Sequence, residues 1–276
     1  MISIPTRCLP RAEELDRLSS SSLRDSFLAE NLFAPGELRI LATDLDRLTV
    51  GAAMPIGALR LPPCREFGTS YFTERRELGI INIGAPGAVR VGAEFFTLDL
   101  LDCLYVGIGE SEISFESTTG EPPAFYFLSC PAHRKHPTAK VARGQAQSAL
   151  LGSPASASSR RLNKCIHPGG IPSCQLVMGF TELEPGSVWN TMPAHTHSRR
   201  SEIYFYFDLG ENMVVHLYGT PANTRHLIVR DRQAVLSPPW SLHAGAGTAN
   251  YRFIWGMAGE NQSFEDIDPI APGSLC

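Results

Sequence analysis

The stretch that most limits how this chain can fold is Trp189 to Phe207, WNTMPAHTHSRRSEIYFYF. It ends in Ile203-Tyr204-Phe205-Tyr206-Phe207, a β-branched and aromatic run that reads as a buried strand. Side chains alternate across a strand, so His195 and His197 leave the same face, close enough to grip one ion. Glu202 differs from them in parity, and a bend within Ser198 to Ser201 is needed to return its carboxylate to that face. Two imidazoles and a carboxylate suit zinc, manganese, iron or nickel, and a fourth donor completes a tetrahedral set. His243, in Pro238-Pro239-Trp240-Ser241-Leu242-His243, is the candidate fourth donor. An HxH pair alone is a weak signal. A glutamate, an aromatic strand and a later histidine behind a Pro-rich turn make it a predicted metal site.

Elsewhere the texture is that of short strands. Leu38 to Leu41, Leu48 to Ala52 and Ala58 to Leu61 are apolar runs separated by Asp, Gly and Pro. Long period-3.6 segments of the kind a parallel α/β fold needs between strands are missing, so an all-β chain of antiparallel barrel or jelly-roll type is expected. Helical spacing is confined to the start, over Arg11 to Leu18 and Ser22 to Glu30, with Ser19 to Ser22 offering a cap for the second piece. At 276 residues the chain has room for two similar domains.

An internal echo supports that division. Arg75-Arg76-Glu77 followed by Leu78 to Ile83 parallels Arg199-Arg200-Ser201-Glu202 followed by Ile203 to Phe207: an Arg pair, an acid and an apolar strand. Ala88 to Val91 then matches Met213 to Tyr218, and Asp102 to Gly107 matches Ala234 to Pro239. Two repeated halves are expected, an N-terminal one over residues 1–150 and a C-terminal one over 161–276 that carries the ligands. No histidine precedes His133, so the first half cannot build the same site. Residues 145–160, rich in Ser, Ala and Gly, read as a flexible exposed connection, and Glu260 to Cys276 as a tail packed over the barrel.

Composition narrows the setting. A net charge of −4 gives no reason to expect a nucleic acid or an anionic membrane as partner. No run approaches the ~18 apolar residues of a membrane span, and MISIPTRCLPRAEEL lacks the apolar core of a signal peptide, so a cytoplasmic protein is expected. The seven cysteines are odd in number and without CxxC spacing, which predicts free thiols.

The HxH, the later Glu, the aromatic strand and the downstream PxWxxH together resemble the two motifs of the cupin superfamily. More narrowly, the chain resembles the 5-keto-4-deoxyuronate isomerases, also called 4-deoxy-L-threo-5-hexosulose-uronate ketol-isomerases. The matching blocks are RRELGIINIG (75–84), LYVGIG (104–109), PAHRKHPT (131–138), VWNTMP (188–193), HTHSRRSEIYFYF (195–207), TRH (224–226) and FIWGMAGENQ (253–262). The connection at 145–160 and the C-terminal IAPGSLC are not typical of that family. The resemblance implies two cupin-type barrels and one zinc per subunit on His195, His197, Glu202 and His243. It also implies a homohexamer and conversion of 5-dehydro-4-deoxy-D-glucuronate to 3-deoxy-D-glycero-2,5-hexodiulosonate in pectin and polyuronate breakdown.

Such an isomerisation needs a base near neutrality and stabilisation of an enediolate. The candidates for the base are Glu202, Glu260 and His226, with no assignment among them. The substrate carboxylate calls for arginine, whose fork pairs both oxygens. Arg199 and Arg200 are the first candidates, Lys164 and Arg161 the alternatives. Tyr204, Tyr206 and Trp240 are expected as core or pocket walls, and His133 and His136 as surface residues. The same ligand set also suits an Fe(II) dioxygenase, and a uronate-binding cupin without turnover is the non-enzymatic alternative.

Overall fold

The apolar runs punctuated by Asp, Gly and Pro become strands because their alternating side chains can bury one face of a pleated sheet against another. The computed structural model describes residues 2–276. Its regular structure is almost wholly β, with one α-helix, Ser20–Phe27, and five short 3-10 helices among the described residues. The two-barrel all-β expectation is met: two units each contain a seven-stranded sheet and a smaller sheet.

In the first unit the large sheet runs Thr6–Arg7, Leu38–Thr43, Thr49–Ala53, Phe125–Pro131, Arg76–Asn82, Cys103–Val106, Ala139–Val141. Its pairings are antiparallel apart from the first. The small sheet holds Leu59–Arg60, Ile113–Ser117, Gly87–Val91 and Glu94–Leu98. Leu78, Ile80, Phe125 and Phe127 of one sheet meet Val89 and Phe115 of the other in one core. The Phe115 ring lies 5.4 Å from that of Phe125 and 5.8 Å from that of Phe127.

The second unit repeats this plan. Its large sheet runs Gln147–Leu151, Arg160–Ile166, Val177–Leu183, Arg252–Gly259, Arg200–Phe207, Gln233–Ser237, Leu28–Ala29. Its small sheet runs Asn223–Val229, Val214–Thr220, His243–Gly247, Trp189–Thr196, Asp268–Pro269. Arg76–Asn82 is flanked by Phe125–Pro131 and Cys103–Val106 as Arg200–Phe207 is flanked by Arg252–Gly259 and Gln233–Ser237. Leu78 pairs with Val106, the last residue of its strand, as Glu202 pairs with Ser237, the last of its own. The ligand position of the second unit is thus occupied in the first by a leucine of the core.

The division between units differs from a cut at 150–161. The first unit comprises the residues up to Arg7, Asn31–Gln147 and Lys164–Met178; the second comprises Cys8–Glu30, Ser148–Asn163 and Gly179–Cys276. Residues 8–30 join the second because Phe27 is fully buried with its ring 4.7 Å from Tyr218 and 6.0 Å from Trp240. The predicted helix to Glu30 stops at Phe27, since Leu28 and Ala29 pair with Val235 and Ala234 as a strand. Ser19 caps that helix by accepting from the Ser22 N–H, as its sequence suggests. The 145–160 connection is exposed but regular: Gln147–Leu151 is a strand, and Pro154–Ser156 is a 3-10 turn capped by Ser153. The tail supplies an edge strand, Asp268–Pro269, pairing with His195 and Thr196. All seven cysteines are free, and no helix among the described residues is long and apolar enough to cross a membrane.

Candidate metal centre

His195 closes the strand Trp189–Thr196, and His197 lies just beyond it. The chain then turns, with the Arg200 N–H donating to the His197 carbonyl at 3.0 Å, and re-enters the facing sheet as Arg200–Phe207. This is the bend that parity demanded. It points Glu202 from one sheet toward His195 and His197 on the other. His243 opens the strand His243–Gly247 directly opposite His195, so cross-strand pairing brings the two rings together, 4.6 Å between centroids.

The four side chains converge. His195 Nε2 lies 3.1 Å from His197 Nε2 and 3.2 Å from His243 Nε2, and Glu202 Oε2 lies 2.9 Å from His197 Nε2 and 3.1 Å from His243 Nε2. One donor atom from each falls within 4.8 Å of the others. Bonds of about 2.0–2.1 Å in a tetrahedral zinc site place donors roughly 3.3 Å apart, close to these separations. Glu202 Oε2, although buried against two imidazoles, makes no hydrogen bond of good geometry. Three ring nitrogens and a carboxylate oxygen gathered this closely suit a divalent cation.

Protonation matches that use. Burial works against the Glu202 carboxylate, yet the His197 and His243 rings beside it hold its pKa well below the usual range. Burial, with His243 and His197 adjacent, pushes His195 down to about 2, and burial also lowers His243. Neutral imidazoles and an ionised carboxylate are the forms that bind metals.

Behind the ligands stands a polar layer from the tail. His197 Nδ1 lies 3.3 Å from the Asp266 carbonyl and 3.2 Å from Arg200 Nη2, which fix the ring from behind with Nε2 toward the cluster. Arg200, buried at the strand start, donates from Nη2 to the same carbonyl at 2.6 Å. Arg199 binds both Asp266 oxygens through Nε at 2.8 Å and reaches Asp268 at 3.2 Å. Neither arginine lines the cavity, so the expectation that they receive a substrate carboxylate is replaced by a supporting role: the Arg199 fork is committed to Asp266 and Asp268, and Arg200 reaches the Asp266 carbonyl through Nη2 alone, its buried Nε and Nη1 having no hydrogen-bond partner.

A cavity of about 230 Å³ opens on His195, His197 and Glu202, with Tyr204 in its wall as expected. The Tyr204 hydroxyl lies 3.3 Å from Thr191 Oγ1. Thr191 sits at φ 51° where the pairing shifts register between Asn190 and His195. A β-branched residue in that region is strained, and the bulge is what turns Thr191 into the cavity. Deeper in the barrel, Asn190 Nδ2 donates to the Tyr251 hydroxyl at 2.6 Å, and Tyr206 pairs with His216 Nδ1 at 2.7 Å.

Several sequence-derived candidates lie elsewhere. His226 is exposed, because it pairs with Leu217 and so shares the outward face, whereas His216 and Leu227 share the inward one. Glu260 is exposed just past the end of Arg252–Gly259 and does not line the cavity. Trp240 packs on Phe27 and Tyr218, not on the cavity. Lys164 falls in the first unit, and exposed Arg161 faces Glu184 at 3.7 Å. Arg160, Thr191, Phe253 and Trp255, none of them a sequence-derived candidate, line the cavity. Arg160 shares a strand face with Leu162 and not with Arg161.

Comparison with known proteins agrees with this geometry. The KduI/IolB family model matches residues 28–269. A 4-deoxy-L-threo-5-hexosulose-uronate ketol-isomerase of Opitutus terrae is 58% identical over 268 residues, covering 96% of this chain and 97% of its own. The protein of the same name from Caldicellulosiruptor bescii is 51% identical, with coverage of 92% and 93%. Among solved structures, an IolB-like protein from Salmonella typhimurium LT2 shares the fold at 14% identity and a TM-score of 0.69, covering 88% of this chain and 96% of that one. Family model, relatives and fold agree over nearly the whole length, and the chain belongs to the KduI/IolB family.

Proposed function

We propose that this chain is a zinc-dependent ketol-isomerase that converts 5-dehydro-4-deoxy-D-glucuronate to 3-deoxy-D-glycero-2,5-hexodiulosonate in the breakdown of pectin and other polyuronates. The observation that carries the reading is the three-His, one-Glu cluster facing a cavity large enough for a sugar acid. The names of the relatives supply the substrate. A homohexamer with one zinc per subunit rests on the family resemblance, and light scattering measures it.

In the reaction a proton leaves the hydroxyl-bearing carbon next to the aldehyde and returns to the aldehyde carbon; the hydroxyl becomes the ketone and the aldehyde the primary alcohol. A divalent ion held by the cluster supplies Lewis-acid polarisation of the carbonyl and counter-charge for the oxygen that becomes negative. Among the described residues Glu202 is the one carboxylate lining the cavity; it takes the carbon-bound proton only on leaving the ion, because a metal-bound carboxylate is a weak base. Tyr204, kept protonated by burial, acts as a hydroxyl donor to a substrate oxygen, with Thr191 orienting it. Phe253 and Trp255 wall the cavity and keep water from the charged intermediate.

The test is an assay of the purified protein with the deoxy-keto-uronate, followed by proton NMR under air and under nitrogen. Conversion at the same rate in both supports the isomerase. Oxygen consumption coupled to turnover would replace it with the dioxygenase reading, and tight binding without conversion with the non-catalytic one.

A further inference from the structure

Arg160 is the only arginine or lysine among the described residues that lines the cavity. It opens the strand Arg160–Ile166, and alternation sends Arg160 and Leu162 to the cavity side while Arg161 stays outside. Its Nη1 donates to the Ser158 carbonyl at 2.9 Å, which fixes the stem and leaves Nε and Nη2 available. No carboxylate of the described residues forms an ion pair with it, in contrast to Arg199, which Asp266 and Asp268 occupy. Burial lowers its pKa.

Arg160 is half-buried, and a guanidinium partly withdrawn from water with no counter-charge is a setting in which a ligand supplies the anion. Much of the surrounding wall is apolar, including Leu162, Met192, Phe253 and Trp255. The cavity therefore has two polar ends, a donor cluster for a cation and a guanidinium fork for an anion. The fork geometry matches both oxygens of a carboxylate. We infer that Arg160 binds the carboxylate of the sugar acid and so makes the site selective for uronates over neutral keto-sugars. The identity of the substrate here rests on the isomerase reading; the anion-binding role of Arg160 does not.

The experiment compares the metal-loaded wild type with Arg160→Gln and Arg160→Lys. Each is assayed with the deoxy-keto-uronate and with its uncharged carboxamide, and zinc content is measured in every sample. The charge-assisted pair is worth about 1.5–3 kcal/mol, so Arg160→Gln is expected to raise KM for the carboxylate about 10- to 150-fold. The carboxamide should be handled by the variant and the wild type within about threefold, zinc content should not change, and Arg160→Lys should recover part of the loss. Equal kinetics of wild type and Arg160→Gln on the carboxylate would overturn the assignment while leaving the isomerase intact. Should the wild type convert neither compound, the isomerase reading fails, and calorimetry with D-glucuronate still decides the role of Arg160. Binding by the wild type that is lost in Arg160→Gln supports it; equal binding, or none to the wild type, overturns it.

Discussion

Glu202 stays ionised in a place where burial opposes its charge, and it can do so because the His197 and His243 rings lie against it. Replacing His243 by Ala removes one of four donors. The expected result is loss of stoichiometric zinc by atomic absorption and a fall in turnover on the order of 10³-fold, the several kcal/mol that a Lewis acid supplies. Arg199 gives a contrasting outcome. Because it acts on His197 through Asp266, Arg199→Gln should weaken zinc affinity about 10- to 100-fold and leave KM unchanged once zinc is saturating. A raised KM at saturating zinc would return Arg199 to the substrate. His195, His197 and Glu202 were legible as a group because strand parity and one bend leave few other ways to join them, and His243 as the later histidine behind the Pro-rich turn. The supports were not: Asp266 lies 69 residues from His197, and nothing local in either segment announces the pairing. Arg160 and Arg161 differ by one step of register, which sequence alone does not fix when the start of the strand is unknown.

The strand Trp189–Thr196 has to meet two partners, and the bulge at Thr191 reconciles them by shifting the pairing with His243–Gly247. Thr191→Gly would relieve a left-handed strain of about 1–3 kcal/mol, so urea unfolding is expected to show unchanged or higher stability. Turnover should fall, because Tyr204 loses its hydroxyl partner. The N-terminal helix is an element of stability alone. Phe27→Ala is expected to cost about 3–5 kcal/mol in urea unfolding without altering KM, since Phe27 is fully buried and does not line the cavity. Strand positions could be read from sequence because alternation and turn residues are local signals. The helix end could not, because Leu28 and Ala29 leave the helical path for a backbone pairing with residues far along the chain. The 145–160 segment misled for a related reason: its small residues suit a loop, yet the sheet edge offers its backbone hydrogen bonds.

Across the molecule, one plan is built twice, and among the described residues the donor cluster appears in one copy. The first unit puts Leu78 where the second has Glu202, and its neighbouring acid, Glu77, turns to the other face. There Glu77, fully buried, accepts from the Tyr105 hydroxyl at 2.7 Å and from the backbone N–H groups of Cys174, Gln175 and Leu176, each at 2.7 Å. Glu77→Ala would orphan those three donors and is expected to destabilise the protein by about 3–5 kcal/mol, with the zinc content of the folded protein unchanged. The repeat was visible in sequence through its Arg-pair and strand echo, but the unit boundaries were not, because they follow spatial pairing and not chain continuity. The proposed chemistry depends on the second unit using its cluster to hold a catalytic ion. The most direct test is to strip the protein with a chelator, return zinc in measured increments and follow conversion of the deoxy-keto-uronate. Turnover should be absent at the start, rise with added zinc and level off at one ion per chain; full turnover by the stripped protein, or none at one zinc per chain, would contradict it.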